Sequence, residues 1–124
     1  MNENDYEQKN YQFRLRIEQL QEAQLNNKKA QRQIEEQQEA FFSLQQKEQQ
    51  AYAFVLNSCE VDERAFYQGR GEESLHLATK AQRELEEQQV ELQEAYHILL
   101  EQEEFISAEQ ASFWQQKEDE PNGA

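Results

Sequence analysis

From Ala78 onward a small or apolar residue returns at every seventh position without a miss: Ala78, Leu85, Leu92, Leu99, Ile106 and Phe113. The interleaved positions Leu75, Gln82, Gln89, Tyr96, Glu103 and Gln110 are mostly polar. A seven-residue repeat draws one narrow apolar seam along a helix, the pattern of a helix packed lengthwise against another. Ala81, Ala95, Leu100 and Phe105 widen the stripe. The first half of the chain carries a matching ladder, Tyr6, Phe13, Leu20, Asn27, Ile34, Phe41, Glu48 and Val55, with Ile17 and Tyr52 between rungs. Its rungs Asn27 and Glu48 are polar, which costs stability and can set register. Between Ala40 and Val55 the apolar residues thicken, and Phe41, Phe42, Leu44, Ala51, Tyr52, Phe54 and Val55 fall on more than one face. A two-helix hairpin uses one face, so the surplus predicts contact with something else.

The segment Tyr67-Gln68-Gly69-Arg70-Gly71 holds two of the three glycines, and the only proline, Pro121, lies near the C-terminus. Glycine is the strongest break available in a chain otherwise rich in helix-forming Gln, Glu, Leu and Ala. The predicted fold is therefore all-α: an elongated antiparallel hairpin. Helix 1 is expected over 5–66, a turn over 67–71, helix 2 over 72–118 and a flexible tail over 119–124. Asn4 or Asp5 is the candidate cap of the first helix. Glu72 and Glu73 suit the first turn of the second, where acidic groups oppose the positive end of the helix dipole. Asn57-Ser58 marks either a kink or the cap of a short extra helix carrying Val61, Ala65 and Phe66. At about 1.5 Å per residue a first helix of about 55–60 residues would be about 85 Å long and a second of about 45 residues about 70 Å. Tyr6, Tyr11 and Phe13 would then overhang the hairpin or pair with another chain.

Composition supports one domain with a thin core. Hydrophobic residues are 36% of 124, too few for a deep globular interior but enough for a zipped pair of helices. The formal net charge is −14, unevenly spread. Residues 1–66 hold 12 acidic and 8 basic side chains, a net of −4, and residues 67–124 hold 14 and 4, a net of −10. That balance argues against nucleic acid and against an anionic membrane surface as partners. It favours a protein with a basic or apolar groove. Cys59 is the only cysteine, so no intramolecular disulfide is expected. Neither an apolar leader nor a membrane-spanning run is present in the sequence, and the expected location is the cytoplasm.

Candidate chemistry is sparse. Glu94, His97 and Glu101 share a helical face at i, i+3 and i+7, but one histidine among many glutamates is a weak ligand set. Ser58, Cys59, Ser74 and His76 lie near the expected turn without a structured pocket to pair a nucleophile with a base. Gly69-Arg70-Gly71 is too short for a phosphate-binding loop and follows no strand. No enzyme, metal or cofactor is expected.

A helical hairpin with an aromatic-x-Gly break resembles the WXG-like proteins of type VII secretion, and Tyr67-Gln68-Gly69 stands where those proteins carry Trp-x-Gly. In length, acidity and Gln-rich helices the chain further resembles the small helical proteins encoded with LXG-domain toxins in Gram-positive bacteria. That resemblance implies a targeting factor that binds the helical N-terminal domain of an LXG toxin for type VIIb secretion. It also implies a second small WXG-like protein in the complex and a leaderless route of export with the cargo. It marks Tyr67, Gln68, Gly69 and Gly71 as the turn motif. Trp114 and Glu118 fit an aromatic-x-x-x-acid export signal, as do Phe105 and Glu109. The candidate partner-binding residues are Phe41, Phe42, Leu44, Tyr52, Phe54, Leu100, Phe105, Phe113 and Trp114. Two other readings remain: a coiled-coil stalk or escort protein of another secretion machine, and a self-associating structural coiled coil.

Overall fold

The computed structural model describes residues 2–119. The fold is all-α, a hairpin of two packed helices, and no strand occurs among the described residues. Helix α1 spans Glu3–Ser58 and helix α2 spans Arg64–Asp119, 56 residues each. A short 3-10 helix, Val61–Glu63, joins them. Asp119 closes α2, and the rest of the expected tail, 120–124, lies outside the described residues.

The reversal is at 59–63 and not at 67–71. Tyr67, Gln68, Gly69 and Gly71 all lie inside the first eight residues of α2, and neither glycine adopts a left-handed backbone. Two helical glycines cost about 1 kcal/mol each relative to alanine, which a helix as long as α2 tolerates. The break is instead made by side chains that bond to carbonyls in the last turn of α1, among them the orphan carbonyl of Leu56. The Ser58 hydroxyl donates to the Phe54 carbonyl, the Cys59 thiol to that of Leu56, and the Arg64 guanidinium to Leu56 at 3.2 Å. Glu60 then turns extended (φ −65°, ψ 154°), and the Glu63 amide donates to the Glu60 carbonyl at 3.0 Å to start the 3-10 turn. Ser competes well with helical backbone bonds, and at this break Ser58, with Cys59 and Arg64, outweighed glycine. At the other end of the chain the cap is Asn2, whose side-chain oxygen accepts the Asp5 amide at 2.9 Å, rather than Asn4 or Asp5.

Moving the turn forward equalises the helices and removes the expected overhang. Two compact units form, one from residues 1–30 and 92–124, the other from 31–91. In the first, Tyr6 and Phe13 are buried against Phe113, with ring centroids 5.1 and 5.7 Å apart. Ile106 packs on this cluster, and Leu20 is buried further along α1. Polar rungs here are bonded across the seam. The Asn27 amide donates to the Leu92 carbonyl at 2.9 Å, and Gln110 donates to Asn10 at 3.3 Å. The pairings 10–110 and 27–92 show that the two helical segments run antiparallel.

In the second unit Ile34 and Gln31 are buried. The inward positions of α1 are 31, 34, 38, 41, 45, 49 and 52, and those of α2 are 71, 74, 78, 81, 85 and 89. Both series contain two successive steps of four (41–45–49 and 81–85–89), where a strict heptad would alternate three and four. An α-helix of 3.6 residues per turn drifts away from a 3.5-residue repeat, and such a step absorbs the drift. Glu48 therefore leaves the seam in favour of Gln49. Ser74 and Ala81 take the places expected of Leu75 and Gln82, and those two side chains are exposed.

Candidate functional site

The slip in the second unit leaves an open groove. Phe41, Leu44 and Tyr52 from α1 and Leu77, Ala78 and Ala81 from α2 line a volume of about 620 Å³. Glu48, Arg70 and Glu73 form its rim. The Ser74 hydroxyl donates to the Glu48 carboxylate, an exposed bond that ties the two helices together beside the groove. Leu44 is 64% exposed and Leu77 58% exposed, unusual for leucines facing a shared concavity. Phe66 stacks edge-on to Tyr67 at 5.2 Å, and the Arg70 guanidinium lies 5.8 Å from the Phe66 ring. Phe66, Arg70, Glu73 and Leu77 stand at i, i+4, i+7 and i+11, one face of α2.

The sequence-derived candidates divide into three groups. Phe41 and Tyr52 are half-buried and line the groove, while Leu44 projects into it. Phe42, Phe54 and Phe105 are exposed, and Leu100 is half-buried. Phe113 is not a surface residue: it is 8% exposed and forms the centre of the Tyr6–Phe13 cluster. Trp114 packs edge-on to Phe113 at 6.2 Å, and the Lys117 ammonium lies 4.8 Å from the Trp114 ring and 5.1 Å from that of Tyr6. Lys117 also pairs with Glu3 at 3.3 Å. Trp114 therefore belongs to a clasp that joins the N-terminus of α1 to the end of α2. Glu118 is exposed in the last turn.

The turn-motif residues do not form a turn. Tyr67 and Gly71 face the seam, and the Tyr52 ring lies 3.5 Å from where a Gly71 Cβ would stand. Gly69 has open space around it. Leu77, Phe66 and the apex residue Val61 (90% exposed) were not among the sequence candidates. Their face becomes visible only once α2 is known to begin at Arg64, because a turn at 67–71 separates Phe66 from Leu77.

One carboxyl group is electrostatically perturbed. Gln24 donates to Glu103 at 2.7 Å and Gln21 at 3.1 Å, and these bonds hold the Glu103 carboxyl below its ordinary value of 4.5. A depressed folded-state value means the contribution is present above the unfolded value and fades as pH falls through the folded one. Glu103→Ala should therefore cost under about 1 kcal/mol at neutral pH, since the pair is partly solvated. Urea titrations should show the gap to the unsubstituted protein narrowing as the pH is lowered through the carboxylate range. Among the described residues no group of three or more His, Cys, Asp or Glu side chains is placed to hold a metal ion, Glu94, His97 and Glu101 included. No helix of the described residues is long and apolar enough to cross a membrane.

Comparison with protein-family models finds no match, and comparisons with curated proteins and with solved structures likewise find none.

Proposed function

We propose that this chain is a non-enzymatic helical adaptor whose open groove in residues 31–91 receives a helix of a client protein. The observation that carries the reading is the pair Leu44 and Leu77, both exposed on facing walls of one apolar groove. An amphipathic helix laid between two helices buries such side chains as a third member of a bundle, reading them at i, i+3, i+4 and i+7. The negative charge of the chain keeps nucleic acid and anionic membranes outside the proposal.

Under the resemblance described above, the client is the helical N-terminal domain of an LXG toxin. The adaptor then acts in the cytoplasm as a targeting factor for type VIIb secretion, together with a second WXG-like protein, and leaves with its cargo. This finer reading rests on length, acidity and helix composition, because Tyr67-Gln68-Gly69 is helical rather than a turn.

Co-expression with each protein encoded beside this one, followed by affinity purification, tests the adaptor. A stoichiometric complex is expected with one helical neighbour. Leu44→Ser with Leu77→Ser should abolish that complex while leaving the circular-dichroism melt within a few degrees of the parent. No complex with any neighbour, or a complex that ignores both substitutions, is the result that sinks the proposal.

A further inference from the structure

The two units differ in how much they bury. Residues 1–30 with 92–119 bury Tyr6, Phe13, Leu20 and Phe113. Residues 31–91 bury one apolar side chain, Ile34, together with Gln31, and from 35 to 91 no side chain is buried. The inward residues explain the difference. On α1, the inward positions 31, 38, 45 and 49 are all glutamine. On α2 the facing series is Gly71, Ser74, Ala78, Ala81, Leu85 and Gln89, in which Leu85 alone is large and apolar. Hydrophobic stabilisation scales with the apolar area removed from water, and this seam removes little.

Polar atoms add to the imbalance. Gln49 Nε2 and Gln89 Oε1 are buried without a hydrogen-bond partner in the chain, and both belong to this unit. A buried amide atom left unpaired has given up its bonds to water and gained nothing in exchange. The bonds from Gln89 to Glu35 at 3.3 Å and from Ser74 to Glu48 cross the seam at exposed positions, where water competes for them. In the other unit the seam is crossed by aromatic ring pairs and by part-buried bonds from Gln24 to Glu103 and from Asn27 to Leu92. We infer that residues 31–91 open along their seam as a separate cooperative unit, while residues 1–30 stay paired with 92–119. Proteins open locally where few apolar contacts hold a segment. Once parted, each helical segment of this unit keeps only its own propensity, which is weakest around Gly69 and Gly71. Opening exposes Phe41, Tyr52 and Leu85 together with Leu44 and Leu77, a longer apolar strip than the closed groove offers. It is a property of the free chain and stands whether or not the groove takes a client helix.

Hydrogen–deuterium exchange of the full chain, read by mass spectrometry on peptic fragments, is the test. Fragments within 36–56 and 66–88 should exchange at least about a hundredfold faster than fragments within 8–26 and 96–114. Phe113→Leu loosens the aromatic cluster without emptying it. It should speed exchange about tenfold in 8–26 and 96–114 and leave 36–56 and 66–88 within about twofold, because opening of the 31–91 unit leaves Phe113 in place. Gln49→Leu with Gln89→Leu replaces the two unpaired amides by apolar groups of similar size. That variant should slow exchange at least about tenfold in 36–56 and 66–88. Equal protection in all four segments overturns the inference, and so does a Phe113→Leu effect of the same size in all four, since the chain would then open as one unit. Exchange in 36–56 and 66–88 that the double glutamine variant does not slow overturns it as well, because the opening would not run along the seam. The co-expression experiment reads complex formation with a client, so either reading can fail alone.

Discussion

Phe113→Ala is expected to cost about 3 kcal/mol of folding free energy, the low end for truncating a buried phenylalanine. Phe113 is one of only five buried apolar side chains among the described residues, and it touches the rings of Tyr6 and Phe13. Removing it leaves a cavity that two aromatic neighbours, each held on a helix, cannot collapse to fill. Aromatic pairs of this geometry add about 0.5–1.5 kcal/mol beyond buried area, and both pairs are lost. The Lys117 clasp over Trp114 and Tyr6 should loosen as well. Urea denaturation followed by circular dichroism gives the number. Fluorescence of Trp114, the single tryptophan, reports the local change. Phe105→Ala is the paired control: its ring is 63% exposed, so stability should stay within about 0.5 kcal/mol. A loss of equal size at both positions would mean that Phe113 is not the centre of the aromatic cluster.

Gly69→Ala and Gly71→Ala should each raise stability by about 1 kcal/mol, and together by about 2. Both glycines occupy interior helical positions without a left-handed backbone. Nothing lies within 4 Å of a Cβ at Gly69, and at Gly71 the nearest atom is the Tyr52 ring at 3.5 Å, an ordinary van der Waals contact. Alanine there removes backbone freedom from the unfolded chain and, at 71, adds packing against Tyr52. The melting temperature of the double variant should rise by several degrees, at about 4 °C per kcal/mol for a chain of this size. The sign decides where the chain reverses. In a turn at 67–71, glycines with positive φ would make the same substitutions destabilising. A drop in melting temperature would return the turn to the glycines.

Much of the architecture was legible in the sequence because a seven-residue ladder is a local, one-dimensional signal. The rungs Leu85, Leu92, Leu99, Ile106 and Phe113 do face the opposite helix. The turn was not legible in the same way. Glycine frees the backbone but does not oblige it to turn, and helix on both sides of 69 and 71 holds it straight. Ser58, Cys59 and Arg64 impose the turn through bonds to specific carbonyls of α1. Residue spacing alone does not show which of several polar residues makes such a bond.

By itself, then, the sequence determined an all-α hairpin with a thin core and an acidic second helix, since periodicity and charge are properties of residue order. Only the tertiary structure decided which surplus apolar residues are buried and which are open. The site of the turn sets how α1 is paired against α2. That pairing puts Phe113 between Tyr6 and Phe13, and the local slip of the heptad leaves Leu44 facing Leu77 across an open groove. Neither outcome is a property of either helix alone, because each depends on the register between two segments far apart in the chain.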